Sequence, residues 1–159
     1  MEKDFQCYLG RHSSGSHYIP VPEDIALSFL EAGHKRVLCH INESFALHCA
    51  IMRTDQLGYF ITISKRVRKE AKIQAGDELN IVLAIDKSTY QAKMPEELVA
   101  ALEIEEEAAA IFHSLSPGRQ RTILHLVSSA KRTDTRIRRA LKIMENLKMG
   151  ARNPNEFLR

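Results

Sequence analysis

The chain has 159 residues, of which 44% are hydrophobic and 27% are charged. A chain of this length buries about two-thirds of its unfolded surface, so one solid core and a small second unit are expected. No uninterrupted apolar run exceeds five residues, whereas a membrane-spanning helix needs roughly 20. The start, MEKDFQCYLG, carries no apolar signal segment. We therefore expect a cytoplasmic protein whose three cysteines stay reduced.

Charge is unevenly distributed, although the net charge is only +3. Residues 1–92 carry 11 cations and 11 acids, residues 93–115 carry one cation and six acids, and residues 116–159 carry 11 cations and three acids. The acidic block therefore directly precedes the basic block. This order predicts either that the two blocks neutralise each other in the fold or that the basic block meets an anionic partner.

Residues 1–92 mostly show the two-residue period of β-strands. Pro22 and the two acids after it predict a helix that Gly33 ends. Asn42-Glu43-Ser44 separates two alternating segments that form a hairpin, and Gly76-Asp77 is a turn before the last strand. The strand side chains predicted to share apolar faces are Val37, Cys39, Ile41, Phe45, Leu47, Cys49, Ile51, Tyr59, Ile61, Ile63, Leu79, Ile81, Leu83 and Ile85.

From Pro95 onward the period changes to the 3.6 residues of α-helices. Helices are predicted to start at Pro95, Glu105, Ser116-Pro117 and Thr133, where proline, acidic and capping residues suit a first turn. The tail ARNPNEFLR holds too little apolar content to predict an ordered element. The side chains predicted to face inward are Leu98, Ala101, Leu102, Ala108, Ile111, Phe112, Leu115, Ile123, Val127, Ala130, Ile137, Leu141 and Met144.

A β-rich half followed by a helical half predicts an α+β fold rather than a sheet with alternating helices. The predicted domains are a compact β-barrel domain over residues 1–92 and a unit of three or four helices over residues 93–150. Residues 151–159 form a tail.

Two parts of the chain resemble known bacterial families. The order of a Val-Pro helix, INES, SKRVRKEAKIQAGDELNIVLAID and KMPEELVAAL resembles a bacterial domain of unknown function built on a small split β-barrel. The stretch FHSLSPGRQRTILHLVSSAKRTDTRIRRALKIMENLKMG resembles the helical region called YdeI/OmpD-associated, or bacteriocin-protection, and AKRTDTRIRR is its most specific part. The resemblance implies the fold, a binding or protective role, and neither a cofactor nor a catalytic residue.

A metal centre is not predicted. Cys39-His40 and His48-Cys49 flank the hairpin turn, but alternation puts the two cysteines on the apolar face and the two histidines on the other. This arrangement opposes a four-ligand zinc site and predicts that Cys39 and Cys49 are buried free thiols. A metal site of two histidines, with His12 or His17 of the loop HSSGSH as its third ligand, remains an alternative.

Catalytic residues are not predicted either. The loop HSSGSH places serines beside histidines, but neighbours in sequence do not form a catalytic relay. The acids Glu105, Glu106 and Glu107 are consecutive and suit the first turn of a helix, and Asp77 and Asp86 are interpreted as turn residues. We therefore expect a protein without enzymatic activity.

The candidate binding surface is basic. Arginine suits phosphate through its planar fork, yet the basic block nearly lacks the aromatic side chains on which single strands stack. We expect a non-enzymatic binding or stress- and bacteriocin-protection module, and the alternative is a nucleic-acid-binding regulator. No partner is identified; a monomer or a small homo-oligomer is expected. The candidate residues are Arg132, Arg136, Arg138, Arg139, Lys142, Lys65 and Arg68.

Two further contacts follow from these patterns. Because sequential helices pack together, at least one arginine of the basic block is expected to pair with an acid of the preceding block. In SKRVRKEAKI, Val67, Ala71 and Ile73 are expected to face inward and Arg68 to reach an acid such as Asp77. The arginines considered for the first contact are Arg132, Arg136 and Arg139, and the acids are Glu97, Glu103 and Glu105.

Overall fold

The computed structural model describes all 159 residues and divides them into two units, residues 1–87 and residues 88–159. Each unit has its own cluster of buried apolar side chains, built from residues of that unit alone. No helix combines the length and the apolar composition that crossing a membrane requires.

The first unit contains eight strands and two helices. All pairings between its strands are antiparallel. The elements are β1 (Glu2–Tyr8), β2 (Gly10–Arg11), β3 (His17–Pro20), α1 (Glu23–Leu30), β4 (Arg36–Ile41), β5 (Phe45–Ala50), β6 (Met52–Thr54), β7 (Gly58–Ile63), α2 (Lys65–Ala71) and β8 (Glu78–Ile85).

The strands form two four-stranded sheets, with the orders β1-β8-β4-β5 and β2-β3-β7-β6. The strand-rich first unit and the helical second unit confirm the α+β class. The two sheets do not close into a barrel through hydrogen bonds, so the predicted split β-barrel is not confirmed. The sequence did not predict β1, because only Phe5 and Cys7 supply an apolar alternation and most of its side chains are exposed.

Alternation in the central strands builds the core of this unit. Val37, Cys39 and Ile41 of β4 have no exposed area, and Leu79 and Leu83 of β8 have none either. The predicted inward faces of these two strands are therefore confirmed.

Helix α2 follows β7 through a serine cap. Ser64 Oγ accepts a hydrogen bond from the backbone N–H of Val67 at 3.2 Å, which satisfies one of the amides that a helix start leaves unpaired. Lys72 ends the helix with a left-handed φ of 57°. Val67 and Ile73 are buried, as their spacing predicts, and the cations of α2 occupy the remaining arc.

The second unit contains four α-helices and a short 3-10 helix. Ser116 Oγ accepts a hydrogen bond from Arg119 N at 3.3 Å, and Pro117 takes the first helical position, as the sequence predicts. The four predicted helices are thereby confirmed. They are α3 (Glu96–Ile104), α4 (Glu106–Ser114), α5 (Pro117–Ser128) and α6 (Thr133–Lys148), followed by the 3-10 helix Pro154–Glu156.

The orientation predicted for α6 is wrong. Ile137 and Leu141 are 46% and 48% exposed, whereas Ala140 has no exposed area. Met144 is buried, as predicted. At the start of α6 the inward face carries Arg136, one turn before Ala140, so a charged and a small residue take the place that large apolar ones were expected to fill.

The tail is ordered, contrary to the expectation from its composition. Phe157 has no exposed area. Asn146 of α6, which is 8% exposed, donates from Nδ2 to the carbonyl of Phe157 at 2.9 Å. A single aromatic anchor and a buried amide thus hold the tail against α6.

Candidate functional site

Arg136 binds the elements around it rather than projecting into solvent. Its Nε lies 2.8 Å from Glu97 Oε1 on α3. Its Nη1 donates to the carbonyls of Ala130 at 3.0 Å and Lys131 at 2.9 Å, and Nη2 donates to Thr133 Oγ1 at 2.9 Å. The predicted pairing of an arginine with one of the preceding acids is confirmed by this contact.

Arg139 makes a similar contact with the end of α5. Its Nη1 donates to the carbonyl of Leu126 at 2.8 Å and to Ser129 Oγ at 3.3 Å. The last carbonyls of a helix lack partners within the helix and form the negative end of its dipole. Arg139 therefore caps the C-terminal end of α5 and ties it to α6.

The acidic and basic blocks meet at a second point, where α3 and α6 end. Lys148 Nζ lies 2.8 Å from Glu105 Oε2, and this contact raises the pKa of Lys148. The hydrogen bond from Arg136 lowers the pKa of Glu97. Glu97 and Arg136 stand near the starts of α3 and α6, while Glu105 and Lys148 stand at their ends, so the two helices run in the same direction.

The remaining candidate residues of α6 point outward. Arg132 pairs with its neighbour Asp134 at 3.3 Å, and both side chains are more than half exposed. Arg138 donates to Thr135 Oγ1 at 3.3 Å, and Lys142 lies 3.8 Å from Glu145. The structure therefore separates the predicted surface into two inward arginines and three outward cations.

Two apolar side chains lie beside these outward cations. Ile137 and Leu141 are four residues apart and so occupy one face of α6, and each exposes nearly half of its surface. We call Ile137, Arg138, Leu141 and Lys142 the outer face of α6. It combines an apolar centre with a basic edge, and Glu145 adjoins that edge at Lys142.

The two candidates of the first unit, Lys65 and Arg68, differ from each other. Lys65 is exposed, whereas Arg68 donates from Nη1 to the carbonyl of Ile63 at 3.2 Å. The expected contact of Arg68 with Asp77 is not formed, because Asp77 Oδ2 accepts from the backbone N–H of Gln74 at 2.9 Å. Arg68 thus supports the strand-to-helix junction.

A histidine–carboxylate pair was missed by the sequence reasoning. His48 Nδ1 lies 2.6 Å from Asp86 Oδ2, and the Asp86 side chain is 2% exposed. The interpretation of Asp86 as a turn residue does not account for this burial. The pair joins β5 to the end of β8 across 38 residues, a separation at which local patterns carry no signal.

The cysteines are free thiols, and two of them are buried as predicted. A hydrogen bond with Cys49, together with burial, raises the pKa of Cys39 well above its ordinary value, and burial raises the pKa of Cys7 to about 11. No three histidine, cysteine or carboxylate side chains lie together in a way that holds a metal ion.

Comparison with known families gives one match for each half of the chain. Residues 5–83 match the family described as a domain of unknown function, DUF1905. Residues 91–150 match the family described as bacteriocin-protection, YdeI or OmpD-associated. Among curated proteins, none matches the chain.

Proposed function

Because the chain carries a DUF1905 domain followed by a domain of the bacteriocin-protection, YdeI or OmpD-associated family, we propose that it is a non-enzymatic binding module of the bacteriocin-protection type. It acts in the cytoplasm, and the helical unit supplies its binding surface. Its partner is a protein segment that presents an acidic, amphipathic helix.

The observation that carries the proposal is the exposure of Ile137 and Leu141 on a helix that is otherwise firmly held. Arg136 and Arg139 tie α6 to α3 and α5, so the outer face of α6 is presented without rearrangement. Burying the exposed half of each apolar side chain contributes about 1 kcal/mol. Arg138 at the edge, which contacts the neutral hydroxyl of Thr135, favours a carboxylate on the partner and disfavours a cation.

The nucleic-acid alternative loses its central residues in this arrangement. It requires the arginines of α6 to lie unpaired on one open face, whereas Arg136 and Arg139 serve carbonyls and a carboxylate within the protein. Of the outward cations, Arg132 pairs with Asp134 and Lys142 lies 3.8 Å from Glu145. These contacts support a protein-binding surface rather than a phosphate-binding one.

The binding test uses two fluorescent helical peptides that differ only in charge. One carries leucines four residues apart among glutamates, and the other carries lysines in place of the glutamates. We expect the acidic peptide to bind more tightly, with an affinity that falls as salt is added, and the double variant Ile137→Gln, Leu141→Gln to lose that binding. Met52→Gln is the control, because Met52 is 41% exposed on the first unit.

Equal binding of the two peptides, or retention of binding by the double variant, contradicts the proposed surface. Duplex DNA in the same titration tests the alternative, which expects salt-sensitive binding that weakens when Arg136 and Arg139 are reversed in charge.

The protective role is tested separately in bacteria that are sensitive to a bacteriocin. Cells that express the wild-type chain are expected to survive better than cells that express the double variant at the same protein level. Equal survival with and without the wild-type chain refutes protection, while the peptide titration still decides whether the outer face of α6 binds.

A further inference from the structure

A groove lies on the sheet β2-β3-β7-β6, on the side opposite the core of the first unit. Ile19 of β3 and Ile61 of β7 face the core, so their neighbours Tyr18, Phe60 and Thr62 lie on the outer side. The loop between β2 and β3 and the loop between β6 and β7 border the groove. Its volume is about 240 Å³, and its principal lining residues are His12, His17, Tyr18, Gln56, Phe60 and Thr62.

Two aromatic rings form one wall of the groove and are held in fixed positions. Tyr18 and Phe60 meet edge to face, with ring centroids 6.1 Å apart and an interplanar angle of 75°. A Cβ atom on Gly10 would lie 2.5 Å from Cζ of Tyr18, so the ring rests directly on the backbone of β2 and only glycine admits it. One face of Tyr18 is thus covered by β2, and the two rings stand at a steep angle to each other rather than parallel.

The polar part of the groove is also held in place. His12 Nε2 lies 2.8 Å from Gln56 Oε1, which links the two bordering loops, and His12 Nδ1 lies 3.0 Å from Ser14 Oγ. His17 also borders the groove, but it lies on the same side of β3 as the core residue Ile19.

Charge and size restrict what the groove accepts. No lysine, arginine, aspartate or glutamate lines it, so a phosphate or carboxylate ligand finds no counter-charge. Its volume of about 240 Å³ lies below the roughly 300–1,000 Å³ of sites for drug-sized ligands. A ligand of a single ring fits these limits.

We propose that this groove binds the ring of a neutral sugar. A sugar ring can place its C–H face on a single aromatic face, and its several hydroxyls suit a polar lining that carries no lysine, arginine, aspartate or glutamate. Sugar hydroxyls donate and accept hydrogen bonds, so they suit the hydroxyl of Thr62 and the amide of Gln56. The site is independent of the outer face of α6.

The test uses the full chain, isotope-labelled, in an NMR titration with single sugars. The probes are the methyl glycosides of glucose, galactose and mannose, together with N-acetylglucosamine, and uridine serves as a planar heterocycle. We expect at least one sugar to bind with a millimolar dissociation constant and to shift the signals of Tyr18, Phe60 and Thr62.

Two variants examine the groove itself. Tyr18→Ser is expected to abolish the binding, and Thr62→Val, which keeps the side-chain shape, is expected to weaken it by about two- to tenfold. Tyr8→Ser is the control, because Tyr8 is a 65% exposed tyrosine outside the groove and its replacement leaves the affinity unchanged.

Three outcomes overturn the proposal. They are the absence of binding by every sugar at tens of millimolar, tighter binding of uridine than of any sugar, and sugar binding that survives both Tyr18→Ser and Thr62→Val. Valine has the shape of threonine and position 62 is exposed, so Thr62→Val is expected to leave the fold intact. This variant keeps the test decisive even where Tyr18→Ser disturbs the sheet.

Discussion

Glu97 and Arg136 meet across 39 residues of sequence, with Nε and Oε1 2.8 Å apart and with side chains that are only 14% and 24% exposed. This contact joins the acidic block of the chain to its basic block. Since Arg136 also serves the carbonyls of Ala130 and Lys131, one guanidinium fixes α3, the α5–α6 connection and the start of α6.

Replacement of Arg136 is expected to destabilise the fold. Arg136→Ala removes the partner of Glu97 and two carbonyl contacts, so the free energy of unfolding should fall by about 1–3 kcal/mol. Arg138→Ala is the matched control, because Arg138 is exposed on the same helix, and its effect should stay within about 0.5 kcal/mol. Urea denaturation followed by circular dichroism measures both, and equal effects of the two variants would contradict the assigned roles.

Stability should also depend on pH through Glu97. Its pKa in the fold is lowered from 4.5 by the hydrogen bond from Arg136, so the folded state holds its proton less tightly than the unfolded state does. The resulting stability is fully present above the unfolded pKa and is lost as the pH falls through the folded pKa.

Denaturation series from neutral pH to about pH 3 measure this dependence. Glu97→Gln has no carboxyl group to protonate, so its stability should fall less steeply in acid than that of the wild type. Parallel curves for the two proteins would show that Glu97 does not contribute.

Phe157 is expected to stabilise the helical unit although only two residues of the sequence follow it. Phe157→Ala empties a fully buried position and should lower the free energy of unfolding by about 3–5 kcal/mol. Arg159→Ala serves as the control, since Arg159 is exposed. A loss below about 1 kcal/mol for Phe157→Ala would mean that the tail is not part of the cooperative unit.

The cysteines should react slowly with a thiol reagent in the native protein. Cys39 and Cys49 are buried, and the pKa of Cys7 is raised to about 11 by burial, so little thiolate is present at about pH 8. Labelling should accelerate on unfolding in urea. Fast native labelling of a Cys7→Ser variant would expose an error in the packing of β4 against β5.

The sequence was informative where the chain follows a regular period or a simple charge rule. The two-residue period of β4 and β8 predicted Val37, Cys39 and Leu79 as core residues, and all three are buried. The adjacent charge blocks predicted that at least one of three arginines pairs with one of three acids, and Arg136 pairs with Glu97. In both cases the determining information is local or depends only on the order of the helices.

The sequence failed where the determining contact is distant or where a polar group takes a core position. Ile137 and Leu141 form an apolar pair that the period assigns to the inside, but the inward position is taken by Arg136, which has carbonyls and Glu97 to bind there. Phe157 is held with the help of Asn146, and His48 meets Asp86 across 38 residues. No short-range pattern marks these partners.

The capping arginines also determine which conservative substitutions the helical unit tolerates. Arg136 and Arg139 each serve several acceptors from one planar group, and Arg152 Nη1 likewise reaches the carbonyls of Leu147 and Ala151. A lysine ammonium is a point donor and does not reproduce this fork. Replacing any of these three arginines with lysine keeps the charge but is therefore expected to leave at least one of the served acceptors without a donor.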